Sequence, residues 1–177
     1  MTGFTRIKFE MSPPGSTFDP MNIRPYKFSD RASCLSIFHS NLPRYLDESE
    51  LAGFELWLNG LDQGVAAYGS SEEDHYFVLE NDESILACGG FYIAKHQKSV
   101  TMAWGMVDHA YHKKGFGKEL FLFRLQEIKK NFPGYSILLD TSQHTYPFFE
   151  RFGFTVLKVT ENGYGPGLHR YDMESAI

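Results

Sequence analysis

The chain has 177 residues, of which 42% are hydrophobic and 16% aromatic, so it can bury a core without metal or disulfide cross-links. Its formal net charge of -5 excludes the strongly basic surface typical of nucleic-acid-binding domains and favours cationic partners such as amines. No apolar run approaches the length that spans a bilayer and no signal-peptide pattern begins the chain, so we expect a cytoplasmic protein with no membrane partner.

The first half of the chain contains an N-terminal extension, one strand and two helices. Residues 1–20 form the extension, in which residues 5–11 have a short strand pattern before Pro-Pro-Gly. A regular domain is predicted from residue 21 to the end, beginning with a strand over residues 22–28. Two helices follow over residues 31–40 and 48–61, each marked by a polar cap or by apolar residues at helical spacing.

The second half alternates strands with helices. Three strands form an antiparallel meander, a helix leads to a parallel strand, and a short helix precedes a last hairpin with a glycine-rich loop. In order, these elements are strands 75–80, 84–95 and 99–107, helix 117–130, strand 136–140, helix 146–152, and strands 155–160 and 168–174. The predicted class is α/β (α+β), with a mixed, mostly antiparallel sheet of about six to seven strands flanked by about four helices.

The two cysteines, Cys34 and Cys88, both lie in apolar stretches. Two are too few for a disulfide framework, so we expect buried free thiols. The histidines His39, His75, His96 and His169 are scattered without metal-ligand spacing, and His109-x-x-His112 alone does not make a zinc site. No metal site is predicted.

The segment from Val107 to Gly117 carries the chemistry. A strand ends, a basic loop with two glycines follows, and a helix begins. The first turn of a helix has backbone N–H groups without partners and lies at the positive end of the helix dipole, so this loop suits a phosphate or pyrophosphate. An ordinary strand-to-helix turn is the alternative. The spacing excludes a Walker A loop, and the preceding meander argues against a dinucleotide-binding unit.

Two motifs in this order resemble the GNAT superfamily of N-acetyltransferases. Residues 107–109 (Val-Asp-His) stand where the family has (I/V)-D-P, and residues 112–117 (His-Lys-Lys-Gly-Phe-Gly) match its Gln/Arg-x-x-Gly-x-Gly/Ala loop. Further on, residues 148–154 (Phe-Phe-Glu-Arg-Phe-Gly-Phe) match its second signature, F-Y-E-K-x-G-F. The resemblance covers residues 22–173. It implies the GNAT fold, acetyl-CoA (coenzyme A) as cofactor, and transfer of the acetyl group to a primary amine by direct attack in a ternary complex.

The resemblance also implies where acetyl-CoA binds. The fourth strand splays from the fifth at a bulge near residues 105–107, and pantetheine lies in the gap like an added strand. The residues that this arrangement assigns to the cofactor are Met106, Val107, His112, Lys113, Lys114, Gly115, Phe116, Gly117, Lys118, Ser142 and Phe149.

Phe149 departs from the family pattern, because the family has a tyrosine there that is often credited with protonating the departing thiolate. Tyr146 is the nearest replacement on the same short helix, and core packing is its alternative role. For the base, the candidates near the splay are Asp108, His109 and His112, and the alternatives for the first two are a turn-forming and a solvent-exposed role. His144 is a second candidate for the acid, and a thiolate that leaves without an acid is a third option.

The acceptor is a small-molecule amine or a peptide amine, and no motif identifies it. Tyr164 in the last loop covers the acceptor pocket or belongs to a plain loop, and Trp57 lines the pocket or packs in the core. A homodimer through a sheet edge or the extension is the candidate assembly. Two other functions stay open at this point: a coenzyme A binding module with little or no turnover, and a binder of another phosphate ligand such as a nucleotide.

Overall fold

Seven strands form one mixed sheet in the computed structural model, which describes residues 21–69 and 71–175. Their order across the sheet is β1-β2-β3-β4-β5-β7-β6. The strands are β1 (Asn22–Pro25), β2 (Glu73–Glu80), β3 (Ile85–Ala94), β4 (Ser99–Val107), β5 (Ser136–Ser142), β6 (Thr155–Gly165) and β7 (Leu168–Ser175). The predicted extension, residues 1–20, lies outside the described residues.

Helices cover both faces of the sheet. They are α1 (Arg31–Ser40), α2 (Leu51–Gln63), α3 (Phe116–Asn131) and α4 (Tyr146–Glu150). The core on one face includes Phe121 and Ile128 of α3, and the core on the other includes Phe38 of α1 and Trp57 of α2. Trp57 is fully buried, so core packing is its role.

The two cysteines are buried and free, which confirms the prediction. Cys34 on α1 lies against Cys88 on β3, and the hydrogen bond with that thiol together with burial raises the pKa of Cys34. Thiols without thiolate character are poor nucleophiles, so this pair is part of the core.

The predicted meander and crossover are confirmed. Strands β2, β3 and β4 pair antiparallel, and β4 pairs parallel with β5, which it reaches through α3.

Several element boundaries differ from the sequence prediction, and two of the differences have a clear physical reason. Strand β1 ends at Pro25 rather than residue 28, because proline has no N–H for the ladder and a 3₁₀ turn begins at Phe28. The predicted glycine-rich loop is instead the end of β6, which runs to Gly165 and turns within two residues into β7. A shift of register between Thr160 and Gly165 absorbs the irregular backbone of that stretch.

The parallel pair β4–β5 is short. Ser99–Thr101 pair with Ser136–Leu138, after which the strands diverge although β4 continues to Val107. Strand β4 also carries a bulge, since the register with β3 shifts between Cys88 and Gly90. Trp104 on the bulge has φ of 49°, a left-handed conformation that few non-glycine residues adopt. The expected splay and bulge are therefore present, with the bulge centred on residues 104–105.

Candidate active site

A cavity of about 830 Å³ occupies the gap between the diverging strands β4 and β5. Its walls come from the second half of β4, the end of β5, the first turns of α3, and α4. The segment before α2 and the end of β6 close its far side. The two ends of the cavity differ in chemistry, one being basic and the other acidic and aromatic.

The basic end is the loop that begins α3. Gly115 is the residue before the helix, with φ of 94°, and Lys113 has φ of 63°. Lys113 and Lys118 line the cavity, whereas Lys114 lies over the ring of Tyr111 at 4.7 Å and is not a lining residue. The N–H groups of the first helical turn and two lysines give this end the chemistry that suits phosphate groups.

Close packing holds this helix start against β4. A Cβ atom at Gly117 would lie 3.2 Å from Cγ2 of Val107, so a larger residue would push the helix away from the strand. Phe116 is buried beside it and also lines the cavity. The second glycine of the motif therefore serves the contact between helix and strand.

His112 and Asn41 both bind the carbonyl of Val107 at the end of β4. Nε2 of His112 lies 3.0 Å from this oxygen, and Nδ2 of the buried Asn41 donates to it over 2.9 Å. His112 occupies the position where the family has Gln or Arg. Its contact with Val107 ties the loop before α3 to the end of β4. Because its carbonyl is occupied, Val107 offers a ligand its N–H.

Met106 and Val107 turn their backbones in opposite directions. The N–H of Asp108 donates to the carbonyl of Leu86, and Met106 lies opposite Cys88. Bonded and non-bonded positions alternate in an antiparallel pair, so the backbone of Met106 faces β3 and that of Val107 faces the gap. Of the two residues, Val107 is therefore the one whose backbone is available in the gap, while Met106 is a buried lining residue of the cavity.

The remaining predicted cofactor residues, Ser142 and Phe149, also line the cavity. Ser142 is buried at the end of β5. The ring of Phe149 packs edge-on against Phe121 of α3, with their centroids 5.3 Å apart. This side of the cavity is apolar at the position where the family has a phenol.

The three predicted catalytic residues lie outside the cavity wall. The ring of Tyr146 stacks on Tyr171, with centroids 4.3 Å apart and planes 2° apart. The carboxylate of Asp108 accepts from the N–H of Ala110 and so caps the following turn. His109 is exposed and packs near His112, with ring centroids 4.9 Å apart. The geometry matches the alternative, structural roles, because an acid or base must reach the reacting atoms.

A carboxyl group that the sequence reasoning missed faces the acidic end. Glu50 lines the cavity just before α2, and its Oε1 accepts from the N–H of Asp47 over 2.8 Å. Burial raises the pKa of Glu50 to about 7; the bond from Asp47 opposes this, and the carboxylate of Asp140 adds to it. A carboxyl group with a pKa near 7 is suited to general base catalysis.

Glu50 shares this end with a cluster of polar side chains from β5, β6 and β7. The hydroxyl of Tyr164 donates a short hydrogen bond to the carboxylate of Asp140. Arg170 lies 3.7 Å from that carboxylate and 2.7 Å from Asp172. Burial and then the charge of Asp140 raise the pKa of Tyr164, which is therefore a neutral donor. The aromatic lining of this end comprises Tyr68, Tyr92 and Trp104, whereas the ring of Tyr45 lies 5.1 Å from that of His112.

Comparisons with known proteins agree with this architecture. Residues 72–156 match the family model of the acetyltransferase (GNAT) domain. No curated protein matches the sequence.

Solved structures share the fold at low sequence identity. The ribosomal-protein-S18-alanine N-acetyltransferase from Escherichia coli has a TM-score of 0.65 at 15% identity, over 89% of this chain and 94% of that one. A GNAT-family acetyltransferase from Staphylococcus aureus Mu50 has a TM-score of 0.66 at 15% identity, over 88% and 98%. Ard1 from Thermoplasma volcanium has a TM-score of 0.65 at 17% identity, over 89% and 97%. Residues 72–156, which include β2 to α4, thus match a GNAT acetyltransferase domain, and the chain has the fold of GNAT structures.

Proposed function

We propose that the protein is an N-acetyltransferase that uses acetyl-CoA and a primary amine bound together, with direct attack of the amine on the thioester. The observation that supports this is the gap between β4 and β5, which joins a phosphate-binding end to an end with a poised carboxyl group. A pocket with convergent polar groups and a perturbed pKa is where chemistry is expected.

The residues present fit acetyl-CoA. Lys113, Lys118 and the first turn of α3 are suited to the pyrophosphate, and the N–H of Val107 to the pantetheine amides. The apolar side chains of Phe116 and Phe149 are suited to its alkyl segments. Acetyl-CoA supplies an activated acyl group, and positioning it against the amine provides most of the rate enhancement.

The acidic end fits the acceptor. An alkylammonium has a pKa near 10.4 and is nucleophilic only after it loses a proton. Glu50 is the carboxyl group suited to take that proton, directly or through water, and the rings of Tyr68 and Trp104 suit a cation. Among the fold relatives, the Escherichia coli enzyme is named for an alanine of ribosomal protein S18. A peptide amine and a small-molecule amine both remain acceptors to be tested here.

Phe149 favours a second candidate, a module that binds acetyl-CoA with little turnover. Its ring has no proton to give, and it lines the cavity where a phenol would act as the acid. Detectable acetylation of any amine would exclude this candidate.

Within the described residues, no helix has both the length and the apolarity to cross a membrane. The cytoplasmic location and the homodimer stay predictions.

The test uses charge reversal at the basic end. Lys113→Glu with Lys118→Glu should weaken acetyl-CoA binding at least about tenfold, which corresponds to about 1.4 kcal/mol. The control is Lys129→Glu with Lys130→Glu, which reverses two charges in the last turn of the same helix. Titration calorimetry gives the affinities, and thiol release with a panel of amines gives turnover. Equal affinities for both double variants, or no binding by the native protein at millimolar acetyl-CoA, would refute the proposal.

A further inference from the structure

Arg124 lies in the middle of α3 and is only 5% exposed, yet it lines the cavity. Its hydrogen bonds go to two backbone carbonyls, from Nη1 to Gly90 over 3.1 Å and from Nε to Leu120 over 3.4 Å. Neutral carbonyls satisfy donors but do not cancel the charge. In the described part of the chain, no carboxylate forms an ion pair with it.

Two glycines leave room for the guanidinium at the bulge of β4. A Cβ atom at Gly105 would lie 2.9 Å from Nη2 of Arg124, and one at Gly89 would lie 3.0 Å from Cζ. Gly105 is itself exposed and lines the cavity. The guanidinium therefore lies directly behind the backbone of the bulge, at the inner wall of the cavity.

The groups around Arg124 leave its positive charge uncompensated. Tyr76 on β2 and Cys88 on β3 are the titratable groups facing it from the sheet, and burial raises the pKa of Tyr76. Glu127, one turn along α3, is buried with its carboxylate 3.4 Å from Nδ2 of Asn131. Burial lowers the pKa of Arg124 to about 10, so it stays a cation at neutral pH.

A buried cation without a partner stabilises any anion that comes near it, because the surrounding protein screens charges poorly. The ring of Phe149, on the same side of the cavity, has no proton to donate. Phe121 is three residues before Arg124 on the same face of α3, and its ring contacts Phe149. This wall of the cavity therefore offers a ligand the positive charge of Arg124 but no proton donor among its aromatic rings.

We propose that Arg124 stabilises the thiolate of coenzyme A as it leaves, in place of a proton donor; this rests on the proposed function. In the transfer, a bond forms between the amine nitrogen and the acetyl carbon, and the bond from that carbon to sulfur breaks. The sulfur keeps the electron pair as a thiolate. The nitrogen loses its second proton to water, or to Glu50 once Glu50 has released to water the proton taken from the ammonium. Arg124 lowers the energy of the thiolate without giving up a proton.

The test measures the thiol pKa of bound coenzyme A from the ultraviolet absorbance of the thiolate. In the native protein we expect this pKa to lie at least about one unit below that of free coenzyme A, a tenfold preference for the thiolate. Arg124→Met, which fills similar space without charge, should abolish the shift, whereas Arg124→Lys should keep most of it. Melting temperatures of both variants check that they fold.

Desulfo-coenzyme A, which lacks the thiol, is the control ligand. It should bind the native protein and Arg124→Met equally well. A bound thiol that titrates like free coenzyme A in the native protein, or an unchanged shift in Arg124→Met, would overturn the proposal. Equal loss of affinity for both ligands in Arg124→Met would make Arg124 structural and also overturn it. If the native protein binds neither ligand, the proposed function itself fails.

Discussion

Replacing Glu50 by glutamine tests the acceptor end of the cavity most directly. The amide keeps the size of the side chain and can still accept the hydrogen bond from Asp47, but it cannot take a proton. If Glu50 is the base, Glu50→Gln should lower kcat/KM by about 10²–10⁴-fold, the usual contribution of a positioned base. Binding of acetyl-CoA should be nearly unchanged, since Glu50 lies at the other end of the cavity.

The pH dependence of kcat/KM tests the role of Glu50 more sharply than the rate at a single pH. With a pKa of about 7, Glu50 is half ionised at pH 7 and about one-eleventh ionised at pH 6. The native kcat/KM should therefore fall about fivefold between pH 7 and pH 6 and about tenfold per unit below that. Glu50→Gln should depend on amine that is already neutral, a fraction that falls tenfold per pH unit below the amine pKa, so its kcat/KM should change steadily with pH and show no break near pH 7.

Stability gives an independent check, because folding raises the pKa of Glu50 from its ordinary value of 4.5 to about 7. The folded state holds the proton more tightly, so this group contributes stability below about pH 4.5 that is lost as the pH rises through 7. Relative to the native protein, Glu50→Gln should therefore be more stable at pH 8 than at pH 5 in urea unfolding.

The control variant is Glu48→Gln, on the same 3₁₀ turn but exposed to solvent. It should leave the rate and the pH profile within about twofold, as expected for a surface substitution. A native-like rate in Glu50→Gln, or a break near pH 7 that survives the substitution, would refute the assignment of Glu50 as the base.

Two further predictions concern the scaffold. Arg24→Met should lower the unfolding free energy by about 3 kcal/mol in urea titrations, because it leaves the buried Asp30 without its 2.6 Å ion pair; a loss under about 1 kcal/mol would contradict this. Burial tends to raise the pKa of Asp30, but the bonds it accepts lower it overall, so this stability should fade as the pH drops below 4. Gly90→Ala should cost at least about 3 kcal/mol, because its Cβ would overlap the carbonyl oxygen of His75, whereas Gly69→Ala, with open space around it, should change stability by less than about 0.5 kcal/mol.

Local patterns were sufficient for the elements and the basic end of the cavity. The meander, the crossover through α3 and the glycine loop all follow from residues close together in the chain. The same is true of Lys113 and Gly115, whose conformations belong to one strand-to-helix turn. Short-range hydrogen bonding and steric limits act at that scale, so the sequence is informative there.

Local sequence patterns were not sufficient to identify the catalytic candidates. Asp47-x-x-Glu50 has the pattern of a helix cap, and Glu50 does serve as one, but its raised pKa depends on burial beside β5. Tyr146 was predicted from proximity along α4, and the register of β7 instead places Tyr171 against its ring. Arg124 stands at a core-facing position of α3 between Leu120 and Ile128, a signal that the sequence contains but that the predictions did not use.

The sequence alone determined the order of the elements and the glycine- and lysine-containing loop that begins α3, because these depend on the backbone of contiguous segments. The tertiary structure decided which charged groups share the cavity: Glu50 from before α2, Asp140 from β5 and Arg124 from α3. Their ionisation depends on burial and on one another's charge across the fold. The distances between these charged groups are set by the divergence of β4 from β5, which no single stretch of sequence encodes.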